Sequence, residues 1–365
     1  MHPIIFDFGP FSIKAYGLMM MLGFFAATWW AMYRANKVKA DPDVILNLGF
    51  VSLISGIAGA RILYVIQYWK EDFANQPSPL WAIIDITKGG LVFYGGFLGA
   101  VICALVYLVW ARHSIRLYLD ILAPSLMLGL AFGRMGCFLN GCCWGAPSET
   151  VPWAVSFPYG SPPYMEHWQK TLVAPPQQLL VTQQYATQGL HFSAASPLDR
   201  EHIRMSSEAF TAPQRELARA QKALDEARKA NASPEELKEL AEKAQAAHER
   251  LRKHRAQYAD IYHACETFGQ TPSDLATLAA QHRSWPVHPT QLYAIVDALL
   301  LALMLHMVFM RRKQQGMVFG LVFLTYGIGR FIEEMIRGDN PMDTGIGPIQ
   351  FTMSQMISII TSAVA

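Results

Sequence analysis

Three arginines, Arg61, Arg134 and Arg330, stand in stretches otherwise apolar enough to cross a bilayer. A charged side chain at the centre of a membrane helix costs about 2.5–3.5 kcal/mol on insertion scales, so such an arginine points to function rather than to packing. A guanidinium is a planar fork that grips phosphate oxygens two at a time, which a lysine ammonium does not do. Three of them in apolar surroundings predict a cationic pocket inside a membrane protein, with an anionic lipid as its substrate. Other polar groups fall near the same ends of the apolar runs: Tyr16, Tyr94, His288, Gln291, Glu333 and Glu334. Arginines snorkelling to headgroups would leave similar charges at both faces. Here the charge outside loops gathers on one side, away from the basic loops.

The elements that must position these residues are helices. Of 365 residues, 52% are hydrophobic and 16% charged, against roughly 25% charged in a soluble domain. Runs of about the 20 residues that span a bilayer fall at 15–33, 44–67, 91–111, 117–137, 290–310 and 317–337, and a short seventh begins near Ile349. This predicts an all-α integral membrane protein of about seven transmembrane helices. Arg34, Lys37 and Lys39 follow the first run, Arg112 and Arg116 the third, and Arg311, Arg312 and Lys313 the fifth. If the spans alternate, these loops share one side, which the positive-inside rule makes cytoplasmic. The N-terminus then lies outside and the C-terminus inside, with the polar residues gathered towards the outer ends of their helices. The first residues lack the basic start and cleavage site of a signal peptide, so the first apolar helix is expected to be retained.

Residues 1–147 are expected to carry four spans and 284–365 the rest, with an external block between. Its first part, 148–211, reads as an irregular interfacial segment rich in Pro, Trp and Tyr. Within 212–283, Leu217, Ala220, Leu224 and Ala227, then Leu237, Leu240, Ala244, Ala247 and Leu251, recur at 3-4 spacing. They predict an inserted amphipathic helical hairpin, whose second helix opens at Ser233-Pro234-Glu235-Glu236 with a cap, a first-turn proline and a capping-box glutamate. The net charge of +2 and the charge pattern suggest no nucleic-acid surface. Five cysteines show no disulfide framework or zinc-finger spacing, so a structural role is expected, with no metal site and no cofactor.

The chain resembles the prolipoprotein diacylglyceryl transferases of bacterial inner membranes. The likeness is carried by Lys14-Ala15-Tyr16-Gly17-Leu18, Gly59-Ala60-Arg61 with Tyr64, Gly89 through Gly96, Gly133-Arg134 through Gly145, Pro152 through Val155, His288-Pro289-Thr290-Gln291-Leu292-Tyr293, Tyr326 through Arg330 with Glu334, and Met353-Ser354-Gln355. It touches every expected span in order and omits about 165–283. The resemblance implies transfer of the diacylglyceryl group of phosphatidylglycerol to the lipobox cysteine thiol in the signal peptides of preprolipoproteins, with glycerol-1-phosphate released. It places Arg134, Arg330, Tyr94, Tyr326 and Glu334 in the catalytic region. Arg134 again, with Tyr16, Arg61, Asn140, Gly145, His288 and Gln291, falls to substrate binding.

Such a reaction needs fixed cations where phosphate charge develops. Arg134 and Arg330 are the candidates, with Arg61 the more structural third. The nucleophile is the substrate's own thiol, with an ordinary pKa of about 8.5. Many family members have His where this chain has Tyr94, and Cys137 and Cys142 replace an Asn and a Glu of well-known members, so Tyr94 and His288 both stay open as the proton acceptor. Tyr94 is favoured for its hydroxyl. The Gly89-Gly90 and Gly95-Gly96 pairs suit either backbone approach to a phosphate or close helix packing. A membrane transporter or a non-catalytic binder of anionic lipid would also want buried arginines, but no matched broken helices and no intramembrane protease motif are visible.

Overall fold

The computed structural model describes residues 4–7, 12–74, 79–85, 89–187, 190–338, 344–346 and 349–364. The chain divides into two units, one of residues 2–145 and 289–365 and one of residues 146–288. In chain order the first unit opens with strands β1 (Ile4–Asp7) and β2 (Ser12–Lys14), followed by helices α1 (Ala15–Lys37), α2 (Pro42–Gln67), α3 (Pro79–Ile84), α4 (Phe93–Trp110) and α5 (Ile115–Asn140). The second unit holds α6 (Pro162–Gln169), β3 (Leu180–Thr187), β4 (Leu190–Pro197), α7 (Arg200–Ile203), α8 (Ser207–Lys229), α9 (Pro234–Gln257), α10 (Ala259–Phe268) and α11 (Pro272–Gln281). The first unit closes with α12 (Thr290–Arg311), α13 (Met317–Ile336), β5 (Thr344–Ile346), β6 (Ile349–Phe351) and α14 (Met353–Val364).

Local chemistry explains where the long helices start and stop. Asp41 caps α2 by accepting from the Asp43 amide at 2.9 Å, with Pro42 at the first helical position, where a missing N–H costs nothing. Ser114 caps α5. Gly141, at φ 81°, ends it in the left-handed conformation and donates to the Cys137 carbonyl at 2.8 Å, a stop that glycine adopts without steric cost. Among the described residues five helices, α1, α2, α4, α5 and α12, are long and apolar enough to cross a membrane. Their uncovered faces carry large apolar side chains such as Ile54, Ile66, Phe97, Val106 and Leu300, as a lipid-facing surface requires. The protein is an all-α, multi-pass integral membrane protein. Helix α13 has 20 residues but carries Arg330, Glu333 and Glu334 near its end. The stretch beginning at Ile349 opens as strand β6, and the 12 residues of α14 reach only about 18 Å, short of a full crossing.

In this unit α1 packs on α5, α5 on α12, α12 on α13, α13 on α14, and α2 on α4. The α2–α4 seam is made by Gly56, Gly59, Gly95, Gly96 and Gly99; a Cβ on Gly96 would lie 3.0 Å from the Gly56 carbonyl oxygen, and one on Gly59 would collide with that of Gly95. Of the two roles open to Gly95-Gly96, the structure shows close helix packing. At the end where the basic loops lie, Asp120 is fully buried and accepts from the amides of Gly316 at 2.8 Å and Phe319 at 2.9 Å. Arg312 pairs with the same carboxylate at 3.1 Å. Arg34 is not a loop cation: it lies within α1, fully buried, donating to the Ile121 carbonyl and Ser125 hydroxyl and stacking on Trp30.

The second unit has its own core of Tyr159, Tyr164, Leu179, Leu198, Ile203, Ile261 and Leu275. Strands β3 and β4 pair antiparallel from Leu180↔Pro197 to Thr187↔Leu190. The stretch expected to be irregular and interfacial is therefore ordered in large part. Its aromatic residues explain the difference: Phe157, Tyr159 and Tyr164 point inward and are buried, so they anchor a core instead of a membrane surface. Helices α8 and α9 form an antiparallel pair with Asn231, at φ 54°, in the turn. Ser233 caps α9 by accepting from the Glu236 amide at 3.2 Å. Only Phe210 and Ala247 are buried in the two helices.

Candidate active site

On α13, Arg330, Glu333 and Glu334 fall at spacings of three and four and so share one face, with Arg337 as the residue that ends the helix. Arg134, near the end of α5, meets them. One oxygen of Glu333 lies 3.8 Å from Arg134 Nη2 and 3.2 Å from Arg330 Nη1. Arg330 Nη2 approaches a Glu334 oxygen at 2.5 Å, and Arg337 lies 3.8 Å from that same oxygen. Three guanidiniums and the carboxyl groups of Glu333 and Glu334 make up a cluster whose Arg134 and Arg330 side chains are each 11% exposed, with Asp297 of α12 within electrostatic range of Glu333. The start of α14 adds to it, with the hydroxyl of Thr352, the residue before the helix, donating to Glu334 at 3.1 Å and Arg330 donating to Ser354 at 3.3 Å.

Arg134 differs from its neighbours in what it holds. Among the described residues it makes the one ion pair with Glu333 and donates no hydrogen bond, so its fork remains available to an oxyanion. Tyr326 lies one turn before Arg330 and within electrostatic range of Arg134, as are Cys137 and Cys143.

The loop after α5 is held in place from two sides. Gln291, fully buried in the first turn of α12, donates to the Cys142 carbonyl at 2.7 Å, and Thr290 donates to that of Cys143 at 2.8 Å. The other amide atom of Gln291, Oε1, is buried with no donor among the described residues. Gly145 is buried and bridges Arg337 in antiparallel fashion, which ties the loop to the end of α13. Asn140 is the exposed last residue of α5. Tyr16, in the first turn of α1, packs beside Gly136 of α5, where a Cβ would lie 3.0 Å from its ring.

Of three further expected residues, Arg61 and Tyr94 lie on α2 and α4, and His288 just precedes α12. Arg61 donates to the Ile83 carbonyl at 2.8 Å, to Gly89 and Gly90 at 2.8 and 2.9 Å, and to Ala82 and Asp85 at 2.6 and 2.8 Å. Those five bonds use all five guanidinium N–H groups. Arg61 is thus the peg on which the segment between α3 and α4 hangs, and Gly89 and Gly90, both at positive φ, supply two of its acceptors. Tyr94 lies in the first turn of α4, 60% exposed, with its ring edge-on to Phe93. It belongs to the α2–α4 pair, whereas the arginine cluster lies between α5 and α13. His288 belongs to the second unit, where its amide donates to the Ala146 carbonyl at 3.1 Å.

One grouping was set aside in the sequence and is brought together by the fold: the sulfurs of Cys137, Cys142 and Cys143 all lie within 4.8 Å of one another. The signal was the C-x4-C-C spacing across a helix end. It matches no familiar zinc motif, and it converges only because Gly141 reverses the chain.

A model of the family described as prolipoprotein diacylglyceryl transferase matches residues 3–193 and 261–365. The match passes through 165–193 and resumes at 261, so it omits less of the chain than the motifs alone suggest. Proteins named phosphatidylglycerol–prolipoprotein diacylglyceryl transferase are similar to it. The one from Rhodopirellula baltica is 40% identical over 159 residues, 42% of this chain and 32% of the relative. The one from Pseudoalteromonas translucida is 41% identical over 163 residues, 44% and 59% of the two chains. That from Legionella pneumophila is 36% identical over 163 residues, 43% and 61%. The matched stretch thus spans from about a third to about three fifths of these relatives. Because the family match covers most of the chain and includes Arg134, Arg330, Glu333 and Glu334, this protein belongs to the prolipoprotein diacylglyceryl transferase family.

Proposed function

We propose that the protein transfers the diacylglyceryl group of phosphatidylglycerol to the lipobox cysteine thiol in the signal peptides of preprolipoproteins. The sulfur forms a bond to the terminal glyceryl carbon as the carbon–oxygen bond to phosphate breaks, and glycerol-1-phosphate leaves with that electron pair. The observation that carries this reading is Arg134, a nearly buried guanidinium with open donors that shares the Glu333 carboxylate with Arg330. Arg134 takes the phosphate as its charge develops, a contribution that grows where water is excluded. Arg330, held by Glu333 and Glu334, sets the field and the second edge of the clamp. The family membership and the names of the relatives support the same substrates.

The reading places the protein in the bacterial cytoplasmic membrane, with the N-terminus and the hairpin of 212–283 outside and the C-terminus inside. A topology reporter after Lys313 should read cytoplasmic and one near Ala230 external. The decisive experiment incubates purified full-length protein with phosphatidylglycerol and a lipobox peptide. A peptide mass gain equal to one diacylglyceryl group, with glycerol-1-phosphate released, is the expected result. Lipid binding without either product would make the protein a non-catalytic binder.

A further inference from the structure

A thiol must lose its proton before it can attack carbon. Tyr94, exposed in the first turn of α4, and His288, just before α12, are the acceptors that the sequence offers. What does stand beside Arg134 is a set of three sulfurs. Cys137 lies in the last turn of α5 and Cys142 and Cys143 in the loop, whose carbonyls are fixed by the buried Gln291 and Thr290. Cys143 adopts φ 61°, a left-handed conformation uncommon for a residue with a Cβ. Zinc–sulfur bonds of about 2.3 Å in a tetrahedron put sulfurs about 3.8 Å apart. The observed sulfurs, all within 4.8 Å, need close by only about 1 Å, within the reach of side-chain rotation.

We propose that Cys137, Cys142 and Cys143 bind a zinc ion whose fourth position takes the thiol of the incoming lipobox cysteine. The proposal rests on the transfer reaction above and supplies a deprotonation step for it. Three protein ligands with one position open is the pattern of catalytic rather than structural zinc, and a thiol bound to zinc is deprotonated outright. The substrate S–H proton passes to water as the sulfur binds the metal. The thiolate then forms the carbon–sulfur bond while the carbon–oxygen bond breaks and its electrons leave on the phosphate. The product thioether is neutral and a weaker ligand than a thiolate, so it departs and reopens the position. Arg134 and Arg337 lie within electrostatic range of Cys143, where they offset part of the negative charge of zinc with its thiolates.

The test uses the full-length protein purified without chelator or added thiol. Elemental analysis should find one zinc ion per chain, and none in the triple variant Cys137→Ser, Cys142→Ser, Cys143→Ser. Cobalt(II) exchanged into the site should show sulfur-to-cobalt charge-transfer bands, and its visible bands should shift on adding a lipobox peptide but not the same peptide with serine for cysteine. Transfer should fall about 100-fold or more in the triple variant. If that variant does not accumulate, wild-type protein stripped of metal should show the same loss and recover with zinc. A metal-free wild-type protein, a disulfide between two of the three cysteines, or a cobalt spectrum blind to the peptide would overturn the proposal. Undiminished transfer by metal-free protein would remove the zinc and leave the transferase reading standing. A zinc site that responds to the peptide in a protein that transfers nothing would do the reverse.

Discussion

A guanidinium has five N–H donors, and what those donors already hold decides what an arginine can do. In Arg61 all five are engaged by carbonyls, which leaves nothing for a phosphate. In Arg134 the donors make no hydrogen bond among the described residues, and the charge is steadied by Glu333 at 3.8 Å. Arg134→Lys should therefore lower kcat/KM for transfer about 100-fold or more, because a point charge cannot reproduce a two-pronged grip. Membrane insertion and yield should stay unchanged, and turnover near wild type would remove Arg134 from the clamp. Tyr94 calls for the opposite expectation. Exposed on α4, with thiol deprotonation assigned to zinc, it should tolerate Tyr94→Phe with transfer within about 3-fold and an unshifted pH–rate profile. A collapse of activity with an altered profile would return the proton to its hydroxyl.

At the scale of elements, α13 was readable in the sequence because Tyr326, Arg330, Glu333 and Glu334 recur at helical spacing. The pairing of that face with Arg134 followed from both falling near like ends of neighbouring spans. The partners of Arg61 were not readable, since five carbonyls spread over 82–90 carry no side-chain signature. Nor was the convergence of the cysteines, which depends on a backbone angle at Gly141. The aromatic stretch after residue 150 misled for a related reason: composition alone does not distinguish a ring at a membrane surface from one in a core. In the second unit His167 shows how that core is held. Its buried ring accepts from the Trp285 amide at 3.1 Å through Nδ1, and burial keeps the imidazole below its ordinary range. A His whose folded pKa is depressed contributes stability above its unfolded pKa of about 6.5 and loses it as pH falls through the folded value. Exchange of the Trp285 amide, corrected for intrinsic rate, should accelerate between about pH 7.5 and about pH 5.5 in the full-length protein. His167→Gln, which offers an acceptor that does not titrate, should flatten that dependence. Equal acceleration in both proteins would exclude the imidazole as its source.

At the scale of the whole molecule, residues 194–260 interrupt the family match, and most of that gap is the α8–α9 pair, with just two buried residues in its helices. Replacing 212–255 by a Gly/Ser linker should leave transfer to a short lipobox peptide within about 3-fold, as expected for a surface insertion whose removal exposes little apolar area. Loss with full-length preprolipoproteins alone would mark it as a docking arm, and loss with the peptide as well would make it part of the catalytic unit. The buried Asp120 has a reach that its position does not advertise. By holding the Gly316 and Phe319 amides it fixes where α13 begins, and a helix advances by about 1.5 Å per residue. Arg330, fourteen residues beyond Gly316, then stands about 21 Å along a stiff rod. The position of the Arg330 guanidinium along the helix is thereby gauged from a carboxylate that holds its opposite end.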